Sequence, residues 1–179
     1  MLVTHYRDIY EIAADNYGIV TSAQAKEAGI SDKEMCAISK RGRIYRIGHG
    51  VYRLTDYIPT PYDPYADAVA LCGQDAYLYG ESVLAMLELV PTNPTRLFVA
   101  SPHRVRKKLP SSIRLARIRQ GDEPVIYEGI RSQSVSAAIR ACKGVVMPGR
   151  LLQAADEARR KGILGRAEHA ALLEELKSW

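Results

Sequence analysis

Two short segments with the same helix-capping pattern, separated by a glycine, constrain the fold of this chain more than any other feature. Residues 21–42 read TSAQAKEAGISDKEMCAISKRG. Thr21 and Ser31 are residue types that favour a helix N-cap, and each is followed three positions later by Gln or Glu, as in a capping box. A glycine follows each segment and can end its helix. The pattern predicts a helix-turn-helix.

A strand-turn-strand pattern follows the second helix directly. Residues 43–54 read RIYRIGHGVYRL, in which β-branched and aromatic residues flank a short turn. Gly48 and Gly50 are predicted to adopt the positive φ of a tight hairpin turn. Upstream, apolar residues recur at helical spacing over residues 5–16 and predict a first helix. Three helices followed by a basic hairpin predict a winged helix-turn-helix.

The rest of the chain is predicted to form a second domain. Residues 56–64 contain three prolines and are interpreted as a semi-rigid linker. Beyond it, periodicity predicts helices at 65–72, 80–89, 135–142, 149–161 and 166–177, and strands at 97–100, 113–119, 125–128 and 130–133. The predicted fold class is α+β, with an N-terminal winged helix-turn-helix domain over residues 1–55 and a small mixed α/β C-terminal domain over residues 65–179.

Charge is distributed in bands along the sequence. The formal net charge is +5. Residues 33–55 carry six Lys or Arg and one acid, residues 56–88 carry six acids and no Lys or Arg, and residues 102–119 carry seven Lys or Arg and no acid. Two strongly cationic segments in a basic chain predict a polyanionic partner such as nucleic acid.

The first cationic band predicts an interface for double-stranded DNA. At about 100° per residue, the second capped helix directs Met35 and Ile38 toward a core and its lysines to the opposite side, where small residues permit close approach to a groove. The hairpin arginines are expected to contact the DNA backbone or the minor groove. The predicted DNA-binding residues are Thr21, Ser22, Lys33, Ala37, Lys40, Arg41, Arg43, Arg46, His49 and Arg53.

Each of these assignments has a plainer alternative. The lysines also suit an ordinary solvated helix, and charged residues on a hairpin also protect a strand edge against aggregation. A histidine between two glycines, such as His49, is more often a solvated turn residue. Thr21 and Ser22 are included because the N–H groups at a helix N-terminus can bind a phosphate.

The second cationic band leaves three interpretations open. Its basic residues are predicted to lie in a loop and on or beside a strand, and they are Arg104, Arg106, Lys107, Lys108, Arg114, Arg117 and Arg119. They could extend a DNA footprint, contact RNA or another partner, or pair with the acidic band of the same chain. This band therefore supports an alternative function, a protein- or RNA-interaction module without sequence-specific DNA binding.

The sequence gives little support to other classes of function. The four histidines lack metal-ligand spacing, and the motifs GxGxxG, GxSxG and the P-loop do not occur. No catalytic activity, cofactor or metal is therefore expected. Cys36, Cys72 and Cys142 lack CxxC spacing and lie in apolar helical patterns, which predicts buried thiols in a reducing compartment. With no apolar run of about 18 residues and no signal-like N-terminus, we expect a cytoplasmic protein without membrane contact.

Five segments of the sequence together resemble a known family. GIVTSAQAKEAGIS and RGRIYRIGHGVYRL are followed by YLYGESVLAMLELVP, RLFVASPHRVRKKLPSSIRLARIR and VIYEGIRSQSVSAAIRACKG. This order is similar to that of AbiEi-type antitoxins from type IV toxin–antitoxin and abortive-infection systems. The resemblance implies a DNA-binding repressor of its own operon, without catalytic activity. It also implies that residues 65–179 form an antitoxin module that neutralises a nucleotidyltransferase-like toxin, with or without direct contact.

Overall fold

The computed structural model describes residues 2–91, 94–118 and 123–178, and the chain divides into two compact units. Unit 1 is Met1–Gln74 and unit 2 is Asp75–Trp179. Each unit combines helices with a small β-sheet. The predicted α+β fold class is therefore confirmed.

Unit 1 places the predicted helix-turn-helix and hairpin next to each other in the chain. Its elements are α1 (Leu2–Ala14), β1 (Ile19–Thr21), α2 (Ser22–Glu27), α3 (Asp32–Lys40), β2 (Ile44–Gly48), β3 (Val51–Leu54) and α4 (Asp63–Cys72). The three strands form an antiparallel sheet in the order β1-β3-β2. The hairpin β2–β3 thus gains a third strand from the short segment that precedes α2.

The sheet of unit 1 is covered on both faces. One face carries Val20, Ile44, Tyr52 and Leu54, which belong to the hydrophobic core formed with α1, α2 and α3. Side chains alternate along a strand, so the intervening residues point to the opposite face. Helix α4 lies on that opposite face, where it meets the side chain of Arg53.

The hairpin turn differs in one respect from the prediction. Gly50 has a φ of +69°, as predicted, whereas Gly48 does not lie in the positive-φ region. A register shift between Arg46 and Gly48 leads the chain into the turn instead. A Cβ at position 48 would overlap Cδ2 of Leu71 on α4, so any other residue there would require the Leu71 side chain to shift. Helix α4 therefore packs directly against the end of β2.

Unit 2 contains a mixed sheet flanked by helices. Within the described residues its strands are β4 (Tyr77–Leu78), β5 (Leu97–Ala100), β6 (Ile113–Leu115), β7 (Val125–Tyr127) and β8 (Ile130–Ser132), in the order β6-β5-β4-β8-β7. Its helices are α5 (Glu81–Met86), α6 (Val135–Ala141), α7 (Pro148–Arg160) and α8 (Arg166–Lys177). Strand β4 pairs antiparallel with β5 and parallel with β8. Strand β6 forms one edge of the sheet.

The ends of several elements differ from the predicted ranges. The helix predicted at 80–89 is shorter, and the strand predicted at 113–119 ends at Leu115, with position 119 outside the described residues. Helix α4 begins two residues before its predicted start, with a proline in its first turn, and it belongs to unit 1. The structural division thus falls after α4. The functional division into residues 1–55, 56–64 and 65–179 stays a prediction.

Candidate nucleic-acid interface

The first capping box fixes the start of α2 and ties it to the hairpin. Gln24 N donates to Thr21 Oγ1 at 3.2 Å, and Thr21 N donates to Gln24 Oε1 at 2.9 Å. The amide of Ser22 donates to Gly50 O at 2.9 Å. The backbone amides of Thr21 and Ser22, predicted as phosphate donors, are therefore already engaged. Both residues position α2 against the hairpin turn.

The second capping box also holds an acid at the start of α3. Ser31 N donates to Glu34 Oε2 at 2.9 Å, and Glu34 N donates to Ser31 Oγ at 3.3 Å. The hydrogen bonds from the backbone and side chain of Ser31 lower the pKa of Glu34 below its usual value. Asp32 lies 3.2 Å from Lys26 of α2. Each carboxylate at the start of α3 therefore has a partner within unit 1.

Helix α3 presents a narrow cationic face away from the core. Met35 and Ile38 are buried, as the helical periodicity predicted. The residues on the opposite side are Lys33, Cys36, Ala37 and Lys40, of which only Ala37 is half-buried. The exposure of Cys36 shows that the prediction of three buried thiols was wrong at this position, while Cys72 and Cys142 are buried.

Arg46 and His49 form a cationic tip on the hairpin. Arg46 pairs across the strands with Tyr52, whose side chain belongs to the core, so Arg46 lies on the sheet face that packs against the helices. Its Nε donates to Gly48 O at 3.0 Å, and its Nη2 lies 3.2 Å from His49 Nδ1. Ile44, two residues before Arg46, is buried in the same core as the inner side of α3. The hairpin tip and α3 therefore lie on the same side of the sheet.

Arg41 and Arg43 add two exposed cations beyond the end of α3. Arg41 is the exposed C-cap residue of that helix. The guanidinium of Arg43 lies 5.3 Å from the centroid of the Tyr6 ring on α1, within the range of a cation–π contact. Arg43 is itself exposed, so the contact orients a cation at the surface.

Arg53 does not belong to this surface, contrary to its prediction as a DNA-binding residue. Its side chain is 8% exposed and points to the α4 side of the sheet. Two of its nitrogens donate to Asp67, at 2.7 and 3.2 Å, and its Nε donates to Tyr17 O at 3.1 Å. Burial acts to lower the pKa of Arg53, but the attraction to Asp67 and Asp63 and the hydrogen bonds to Asp67 and Tyr45 together outweigh it, so the pKa lies above its usual value. Arg53 is a charged residue of the interior of unit 1.

The exposed cations of unit 1 fall into two groups. The first group has no carboxylate within salt-bridge distance in the part of the chain that the structure describes, and it comprises Lys33, Lys40, Arg41, Arg43 and Arg46. The second group is paired, Arg7 with Glu11 at 3.0 Å and Lys26 with Asp32 at 3.2 Å. We call the first group, together with His49, the cationic surface of unit 1.

The second cationic band lies in unit 2, in the loop after β5 and along β6. Six of its basic residues are described and all are exposed: Arg104, Arg106, Lys107, Lys108, Arg114 and Arg117. Arg119 lies outside the described residues. Beside these residues, His103 lies 3.2 Å from Asp75 of the acidic band, as the pairing interpretation predicts. Lys107 also interacts with another group of the protein and is therefore not a free cation.

The described residues contain neither a metal-binding cluster nor a membrane-spanning helix. No group of three or more His, Cys, Asp or Glu side chains is arranged to hold a metal ion there. None of the helices in those ranges combines the length and the apolar character needed to cross a bilayer.

The comparison with protein families found a match in the N-terminal region. Residues 7–55 match the model of the family described as "Transcriptional regulator, AbiEi antitoxin". The matched range runs from α1 to the residue after β3 and contains the whole cationic surface of unit 1. The family resemblance stated from the sequence is confirmed over this range. No curated protein matches the chain.

Proposed function

We propose that this protein is a transcriptional repressor and antitoxin of a type IV toxin–antitoxin system, and that it binds the operator of its own operon in the cytoplasm. One observation carries the proposal: Lys33 and Lys40 of α3 and Arg46 of the hairpin are exposed, have no carboxylate within salt-bridge distance in the described residues, and lie on one side of the sheet of unit 1. The same residues lie in the region that matches a family of antitoxin regulators.

In the proposed complex, unit 1 acts as a winged helix-turn-helix. Helix α3 enters the major groove, where Ala37 permits close approach and Lys33 and Lys40 reach base edges or phosphates. The hairpin follows the backbone, with Arg46 and His49 at the minor groove. Arg41 and Arg43 contact phosphates beside α3. A palindromic operator would be bound at two half-sites, by a dimer or by paired monomers.

Electrostatics gives this proposal a measurable signature. Each phosphate neutralised by a Lys or Arg releases counterions and adds about 0.9 to the slope of log affinity against log salt concentration. A cation that already holds a carboxylate contributes less, because its charge is compensated before binding. The cations without a carboxylate partner in the described residues should therefore control the salt dependence, whereas Arg7 and Lys26 should not.

The antitoxin activity is assigned to unit 2, with a nucleotidyltransferase-like toxin as its target. The description of the matched family names its members as antitoxins, and unit 2 has a core and sheet of its own outside the matched range. Neutralisation through direct contact and neutralisation without contact are both compatible with this assignment.

The DNA-binding proposal is tested with the full chain and a duplex taken from upstream of its own reading frame. Lys40→Glu and Arg46→Glu should each weaken binding by about tenfold or more and reduce the salt slope by about 1. Arg7→Glu is the matched control, because it changes the net charge equally but lies outside the cationic surface. Wild-type affinity and salt slope in both test variants would exclude this surface as the DNA-binding site.

A second candidate function is supported by the exposed cations in the loop after β5 and along β6. Arg104, Arg106, Arg114 and Arg117 have no carboxylate within salt-bridge distance in the described ranges, so unit 2 presents a second surface for a polyanion. In this alternative the protein is an RNA- or protein-interaction module. The double variant Arg104→Glu/Arg106→Glu distinguishes the two candidate functions in the same assay. If the double variant loses nucleic-acid binding and Arg46→Glu retains it, the alternative function is favoured.

A further inference from the structure

One side of α4 forms a continuous contact with the hairpin of unit 1. Asp63, Asp67 and Leu71 are spaced four residues apart and therefore lie along one stripe of the helix. Asp67 receives two hydrogen bonds from Arg53 on β3, and Asp63 lies 3.7 Å from the same guanidinium. Leu71 fills the space beside Gly48 at the end of β2. Each residue of the stripe thus meets the hairpin or a side chain that it carries.

From this stripe we infer that α4 holds the hairpin in its DNA-contacting position, with Asp67 as the principal positioning residue. The inference rests on the proposed function, because it concerns how the cationic surface of unit 1 is oriented. It assigns a role in DNA binding to residues that lie on the far side of the sheet from the DNA and outside the range 7–55.

The contacts at both ends of the hairpin explain how α4 can set its position. Arg53 lies in the middle of β3, directly opposite Tyr45 of β2, so the ion pair fixes the body of the hairpin. Gly48 is the last residue of β2 and adjoins His49 of the tip, so the packing of Leu71 fixes the turn. A rigid helix that contacts both points leaves the hairpin little freedom to tilt away from α3.

The Arg53–Asp67 pair suits this role because of where it lies. Both side chains are largely buried, with 8% and 28% exposure. An unpaired charge in such a place is strongly disfavoured. If Asp67 loses its charge, Arg53 keeps the Asp63 carboxylate at 3.7 Å but loses its closest anionic partner, so the strand that carries it is held less firmly. The ends of the α4 stripe would then no longer hold the tip beside α3.

The inference predicts that neutralising Asp67 weakens DNA binding, whereas the change in net charge alone would strengthen it. Asp67→Asn makes the protein more positive by one unit, so simple electrostatics would strengthen its binding to DNA. Loss of positioning should instead weaken it, and we expect at least about a fivefold loss of affinity, the lower end of usual coupling between linked sites. Asp56→Asn is the matched control, since it removes an exposed acid of unit 1 and should bind as tightly as wild type or more so.

Two further variants complete the experiment on the full chain. Asp67→Glu keeps a carboxylate for Arg53 and should restore most of the affinity. Leu71→Ala leaves the charge unchanged and should also weaken DNA binding, so it decides the matter if Asp67→Asn does not fold. Circular dichroism at the assay temperature establishes which variants are folded.

The outcomes separate this inference from the proposed function. If wild type binds the upstream duplex and Arg46→Glu weakens binding, the proposed function stands. Asp67→Asn and Leu71→Ala would then overturn the inference alone by binding as tightly as wild type. If wild type does not bind the duplex at all, the proposed function itself is lost, and the inference with it.

Discussion

At the scale of single residues, Gly18 has a backbone conformation that favours glycine and also lies too close to Tyr57 for a side chain. Its φ is +68°, and a Cβ there would lie 2.5 Å from Tyr57 Cγ. Tyr57 packs against the core of unit 1 and donates its hydroxyl proton to Asp63 at 2.9 Å. Gly29 has a similar φ of +77° but no atom within 4 Å of a Cβ. The pair of glycines therefore separates the two constraints.

We expect Gly29→Ala to lower the free energy of unfolding by about 1–2 kcal/mol, the usual cost of the left-handed region for a residue with a Cβ. Gly18→Ala should cost at least about 1 kcal/mol more, because the ring of Tyr57 must leave its place against the core. Urea unfolding monitored by circular dichroism measures both losses. Equal losses in the two variants would show that Tyr57 moves aside freely.

The hairpin arginines show where inference from the sequence ends at this scale. Cross-strand partners share a sheet face, and the partner of Arg46 is Tyr52 while that of Arg53 is Tyr45. The two arginines therefore point to opposite faces, although both were predicted to contact DNA. The assignment depends on the register shift at the turn, which the letters GHG do not specify. Nor does any local pattern mark Asp67 as the partner of Arg53.

At the scale of elements, the capping box of α3 sets the start of the helix that we propose to enter DNA. Ser31→Ala removes the acceptor of the Glu34 amide, and we expect a loss of about 1 kcal/mol in the free energy of unfolding. Ser31→Thr retains the hydroxyl and should remain within about 0.5 kcal/mol of wild type. Comparison of the urea midpoints tests this. A Ser31→Ala protein as stable as the threonine variant would show that the cap does not limit stability.

Elements were predictable where local chemistry determines them. Both capping boxes in unit 1 and the hairpin lie where the sequence predicted, since each depends on residues a few positions apart. Strand β4 was missed because it has two residues, Tyr77 and Leu78, and forms only by pairing with β5 and β8. Pairing between distant segments leaves no periodic signal in so short a stretch.

At the scale of the whole molecule, the proline-rich segment was predicted as a linker, and its composition alone supports that interpretation. In the structure, Tyr57 of this segment packs on the core of unit 1, and Thr60 N donates to Asp63 at 3.0 Å. Strand β3 ends at Leu54, before the first proline at position 59, and the proline-containing segment then leads the chain into α4. The first compact unit therefore extends to Gln74.

This extension predicts that residues 1–74 fold as an isolated fragment and that residues 1–55 do not. A chain that ends at position 55 keeps Arg53 without Asp67 or Asp63, and removal of one side of a buried ion pair costs about 3–5 kcal/mol. It also loses Tyr57 from the core and the packing of Leu71 on the hairpin. A small domain has a total stability of only about 5 kcal/mol or slightly more, so these losses together exceed what the shorter fragment can tolerate.

Thermal unfolding by circular dichroism and the dispersion of amide proton signals in NMR spectra distinguish the two fragments. A cooperative transition and dispersed signals from residues 1–55 would show that α4 is dispensable for the fold of the DNA-binding unit.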